Sequence, residues 1–123
     1  MVAFVPGAVL SASALNTAFN SLTINAQTGT TYTLALTDAG GLVTLTNAAA
    51  ITLTVPANAT VAFPTGSQIG LMQTGAGQVT ITPAGGVTVN AYGSATKLIG
   101  NGSLAVLVKT GTNTWQLAGG ITA

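Results

Sequence analysis

From Thr31 onward, apolar residues alternate with small or hydroxyl-bearing ones in short runs. Tyr32, Leu34 and Leu36 interleave with Thr33 and Ala35, and Ile51, Leu53 and Val55 interleave with Thr52 and Thr54. Val79 and Ile81 alternate with Thr80 and Thr82, Val87 and Val89 flank Thr88, and Trp115 and Leu117 repeat the pattern near the end. A period of two is that of a strand with one face in a core and the other wet. Threonine suits the wet face, because its β-branch favours the extended backbone while its hydroxyl stays hydrated. Leu104 to Val108 departs from the pattern as a nearly continuous apolar run.

Turn signals separate these runs: Asp38-Ala39-Gly40-Gly41, Pro56-Ala57-Asn58, Pro64-Thr65-Gly66, Thr74-Gly75-Ala76-Gly77, Pro83-Ala84-Gly85-Gly86, Ala91-Tyr92-Gly93, Gly100-Asn101-Gly102 and Gly111-Thr112-Asn113. Many short strands at such spacing predict an all-β fold, a compact antiparallel β-sandwich or jelly-roll-like barrel of about 9–10 short strands. Gly75 and Gly77 read as parts of a tight hairpin. No fixed-period repeat supports a solenoid.

Before residue 23 the pattern differs. Phe4 to Leu10 forms an apolar, extended arm with a turn at Pro6-Gly7. Ser11 to Leu22 predicts a short helix, capped by Ser11 or Ser13, with Leu15, Ala18, Phe19 and Leu22 on one face. An isolated helix of this length is marginal in water, so it must pack on its own domain or on a neighbouring subunit. The chain therefore divides into an attachment arm over 1–22 and a β-domain over 23–123. The segment Val2–Ala14 lacks the basic start of a signal peptide, and Pro6-Gly7 interrupts it. Gly, Thr and Asn break every stretch that approaches the roughly 20 apolar residues of a membrane helix. Aromatic residues, at 5%, are too few for the girdles of a membrane β-barrel.

Charge removes most functional classes. The 123 residues include one acidic side chain, Asp38, two basic ones, Lys97 and Lys109, and neither His nor Cys. Acid–base catalysis draws on tuned His, carboxylate or Lys groups, and zinc sites draw on Cys and His; the expectation is no enzyme, no metal and no cofactor. Two lysines cannot make the phosphate-binding patch that nucleic acids require. Asp38, beside Ala39-Gly40-Gly41, reads as a turn-closing acceptor of a backbone N–H. Lys97 and Lys109 read as solubilising residues that protect strand edges. Thr-x-Thr at 44–46, 52–54 and 80–82 raises binding to ice or another crystal surface, but a flat array needs regular strand stacking, which the irregular sequence spacing does not supply. Sugar binding through Tyr92, Trp115 and Asn side chains competes with a core role for Trp115.

Several of these runs carry a resemblance. Thr30-Thr31-Tyr32-Thr33-Leu34, Asp38-Ala39-Gly40-Gly41-Leu42-Val43-Thr44-Leu45 and Ala50-Ile51-Thr52-Leu53-Thr54-Val55-Pro56 resemble a β-domain of tailed-bacteriophage virion proteins. So do Phe63-Pro64-Thr65-Gly66-Ser67-Gln68-Ile69, Gly75-Ala76-Gly77-Gln78-Val79-Thr80-Ile81 and Gly111-Thr112-Asn113-Thr114-Trp115-Gln116-Leu117. Pro6-Gly7-Ala8-Val9-Leu10-Ser11-Ala12, with Leu15-Asn16 and Phe19, is similar to the attachment segments that begin many such proteins.

The resemblance implies a virion part: a head fibre, a capsid decoration (cement) protein, or a module of a tail fibre or tailspike, often trimeric. An attachment arm joined directly to one compact β-domain, with no long shaft, suits a decoration protein on the outer capsid surface. The implied partners are the major capsid protein and two further copies of the chain in a homotrimer, with neither nucleic acid nor membrane. Phe4, Val5, Val9, Leu10, Leu15 and Phe19 are the expected capsid-binding residues. The alternative is a tail-fibre or tailspike-associated adhesin module that binds a host surface glycan.

Overall fold

A computed structural model describes residues 22–123. They form eleven strands: β1 (Ile24–Gln27), β2 (Thr31–Thr33), β3 (Leu42–Leu45), β4 (Ile51–Val55), β5 (Gln68–Gln73), β6 (Val79–Pro83), β7 (Thr88–Ala91), β8 (Lys97–Leu98), β9 (Leu104–Gly111), β10 (Thr114–Gly119) and β11 (Ile121–Thr122). Two short 3₁₀ turns, Leu36–Asp38 and Tyr92–Ser94, complete the regular structure. The all-β class is as the sequence predicts. Leu36 is not an inward strand residue but opens the first 3₁₀ turn, and it is 54% exposed.

The strands make two mixed sheets, of order β1-β3-β5-β9-β10-β7 and β11-β8-β6-β4-β2. Purely antiparallel pairing, expected from the short turn-separated runs, is not what forms. The chain alternates between sheets from β1 to β6, so strands two apart in sequence pair in parallel: β1 with β3 and β3 with β5 in the first sheet, β2 with β4 and β4 with β6 in the second. Antiparallel pairs arise only where the later strands return, β5 with β9, β9 with β10, β6 with β8 and β8 with β11.

This winding resembles stacked rungs, and its rungs differ in length. In the first sheet the partners Ile24, Leu42 and Gly70 lie 18 and then 28 residues apart, and in the second Thr31, Thr52 and Thr80 lie 21 and then 28 apart. Unequal rungs leave no fixed period to read in the sequence. Corners hold the rungs in step. Asn47 donates from Nδ2 to the Thr28 carbonyl of the rung below at 2.8 Å, and its own carbonyl accepts from Gly77 N of the rung above at 2.7 Å. Gly75 and Gly77 thus stand at a sheet-to-sheet corner and not in a hairpin. A Cβ at Gly77 would lie 1.8 Å from the Ala49 carbonyl oxygen, so only glycine permits this approach. Gly40 supplies a different need, a positive φ of 76° in the turn that leads into β3.

The two sheets share one core. Val43, Leu45, Ile69, Leu71, Leu107 and Leu117 from the first meet Ile51, Leu53, Val55, Val79, Ile81 and Leu98 from the second, all buried. Each fully buried side chain of this size contributes about 1.5–3 kcal/mol relative to exposure. Trp115 packs here, with the Phe63 ring edge-on at 5.4 Å between centroids. Its burial removes it as a sugar-stacking platform.

Candidate functional site

Two of the three charged side chains lie inside the fold. Asp38 is buried at the first rung, between the sheet edges β1 and β2. Its Oδ2 accepts from Tyr32 Oη at 2.6 Å and from Ala35 N at 2.9 Å, and its Oδ1 accepts from Asn25 Nδ2 at 2.9 Å. Asn25 also donates to Tyr32 Oη at 2.8 Å and accepts from Gln27 Nε2 at 2.8 Å. The expected turn-closing contact is present as the Ala35 bond, and it belongs to a larger polar plug at the end of the core. Burial first, then the hydrogen bond and charge of Asp38, push the Tyr32 phenol up to about 12.

Lys109 is not an edge residue. It points inward from β9, between β5 and β10, and is buried. Its Nζ donates to Asn58 Oδ1 at 2.7 Å and to the Phe63 carbonyl at 2.6 Å, and sits 5.9 Å from the Trp115 ring centroid. The ammonium pins the long β4–β5 connection to the sheet. The spacing of Lys109 from Ala105 and Leu107 carried that signal, since all three share one face of the strand. Lys97, half-buried on β8, is the only charged side chain that reaches the surface among the described residues, and β8 is flanked by β6 and β11.

The outer faces of the two sheets differ in chemistry, although the row Gln68, Val108, Gln116 and Asn90 adds amides to the first. On the first, the in-register row Ile24, Leu42, Gly70, Val106 and Ala118 crosses five strands. The next row is Ala26, Thr44, Met72 and Leu104. Residues in register on neighbouring strands share a face. Ile24 is 60% and Leu104 52% exposed, and Leu22 beside them 58%. Leu22 and Leu104, together with Leu42, Met72 and Val106, line an open groove of about 610 Å³ over Gly70, where the Leu42 side chain leans to within 3.0 Å of the place a Cβ would occupy. The continuous run Leu104–Val108 has its explanation here, because β9 is apolar on both faces.

The second sheet presents hydroxyls. Thr31, Thr52 and Thr80 form one row, which Lys97 and Thr122 continue, and Thr33, Thr54 and Thr82 form a second. The irregular sequence spacing argues against a regular threonine array, yet parallel pairing brings Thr31-Tyr32-Thr33, Thr52-Leu53-Thr54 and Thr80-Ile81-Thr82 into register. Strand geometry sets this grid at about 4.8 Å by about 6.7 Å.

Among the described residues no group of three or more His, Cys, Asp or Glu gathers to hold a metal ion, and no helix is long and apolar enough to cross a membrane. Phe4, Val5, Val9, Leu10, Leu15 and Phe19 lie outside the described residues, as does the predicted helix up to its last residue, Leu22. Comparison with protein families, with curated proteins and with solved structures gives no match for this chain.

Proposed function

We propose that the protein is a phage virion structural protein, a capsid decoration (cement or head-fibre) protein that binds the outer capsid surface as a homotrimer and stabilises the shell. In this reading the two sheets are the layers of a compact β-sandwich, and residues 1–22 are the arm that anchors it to the major capsid protein through Phe4, Val5, Val9, Leu10, Leu15 and Phe19. The observation that carries the reading is the surface. With Asp38 and Lys109 internal, the described surface offers apolar side chains, hydroxyls and amides with one lysine among them. Such a surface has almost no field to steer a charged ligand and little repulsion to oppose close packing of many copies. The resemblance of its strand and corner sequences to virion β-domains points the same way.

Apolar anchoring resists salt, because screening acts only on charges. The test is co-sedimentation of the purified chain with capsid shells of the phage that encodes it, over a range of salt. Retention that is equal at low and high salt is expected; release by salt alone contradicts apolar anchoring. The glycan-binding adhesin alternative loses its main aromatic to the core, leaving Tyr92, 94% exposed, as its platform.

A second reading rests on the threonine grid. Six threonines in register, each with a methyl and a hydroxyl, suit ordered water at an ice surface, with Lys97 beside Thr80 at the edge of the grid. Slowed ice recrystallisation that Thr52→Lys abolishes is its expected signature, and recrystallisation indifferent to the protein ends it.

A further inference from the structure

We propose that the outer face of the first sheet, the surface of Leu22, Ile24, Leu42, Met72, Leu104 and Val106, is where three copies of this chain meet. The proposal rests on the homotrimer reading above and assigns its contact surface.

The occupant follows from charge. An ordinary soluble domain is about a quarter Asp, Glu, Lys and Arg, and laying its surface over this face would strand some of those charges in an apolar contact without their hydration. A second copy of the chain brings no such charge, since the rows across this face contain none. The opposite face is hydroxyl-bearing and carries Lys97, which suits exposure to water.

The shape of the face suits close packing. Gly70 lines the groove, while Leu22 and Leu104, which also line it, are more than half exposed. These leucines of one copy can enter the groove of the next.

The chain has no cysteine, so single cysteines are clean probes of the full-length protein. Native mass spectrometry should give the wild type the mass of three copies. Leu104→Lys with Val106→Lys should reduce it to one copy, while Thr52→Lys on the opposite face should leave it at three. Met72→Cys with a short bis-maleimide should give covalent pairs on a denaturing gel, and Thr52→Cys should stay single. The cysteine variants decide the matter even if the double lysine variant fails to fold. A wild-type trimer whose Met72→Cys form does not cross-link overturns this face and leaves the homotrimer standing. A wild type that is a single copy at every concentration overturns both.

Discussion

Tyr32 Oη donates to Asp38 Oδ2 at 2.6 Å, joining the edge strand of one sheet to the turn that leads into the other. This contact closes the first-rung end of the core, where Asn25 and Gln27 stand in for the apolar residues found at other inward positions. Buried carboxylates without such donors are costly, and every buried polar side-chain atom among the described residues has its partner.

The phenol of the plug makes stability depend on pH at the alkaline end. A phenol raised from 10.0 to about 12 is favoured in its neutral form by the fold. Its contribution is complete below pH 10, falls as the unfolded chain ionises first, and is lost by about pH 12. Denaturant melts across this window should show that decline, and Tyr32→Phe should flatten it. At neutral pH the same variant should lose about 1.5–3 kcal/mol, the worth of a hydrogen bond to a charged group. An unchanged alkaline slope in Tyr32→Phe would remove the phenol as its source.

Much of this fold was legible in the sequence, for reasons specific to its elements. Thr52-Leu53-Thr54 and Thr80-Ile81-Thr82 announce their strands, because alternation reports local burial. Asp38 before Ala39-Gly40-Gly41 announces its turn, because that chemistry is local too. Strand pairing is not local: Thr52 stacks between Thr31 and Thr80 only once unequal connections have been wound to bring them there. Gly77 signals a tight place without saying that the Ala49 carbonyl fills it. The charge of Lys109 suggests an edge residue, although its inward register with Leu107 decides its role. The apolar face was hidden in the run Leu104–Val108, which reads equally as core.

Lys109 offers a second stability test. Lys109→Met keeps much of the stem's packing and removes both donors, leaving Asn58 Oδ1 and the Phe63 carbonyl without this partner. A loss of about 1–3 kcal/mol is expected, with faster hydrogen exchange confined to the connection between Pro56 and Ser67. Exchange that stays at the wild-type rate there would mean the lysine does not hold this loop.

Corner stacking predicts a contrast between two glycines. Gly77→Ala places a methyl on the Ala49 carbonyl and should cost several kcal/mol or prevent folding. Gly85→Ala meets nothing within 4 Å and should change stability by no more than about 0.5 kcal/mol. Thermal melts of the pair measure this directly, and equal melting temperatures would contradict the rung-on-rung packing.

Removal of residues 1–21 separates anchoring from folding. Among the described residues, the buried apolar core runs from Leu34 onward. The shortened chain should keep its strand circular dichroism and cooperative melt while losing attachment to capsid shells. Loss of the melt would place the arm in the core.

Electron microscopy of phage particles carrying a labelled copy of this chain tests the central claim most directly. Many copies spread over the outer capsid, each density threefold and with its hydroxyl face outward, is the predicted result. Density confined to the tail, or particles that carry none of the protein, would contradict it.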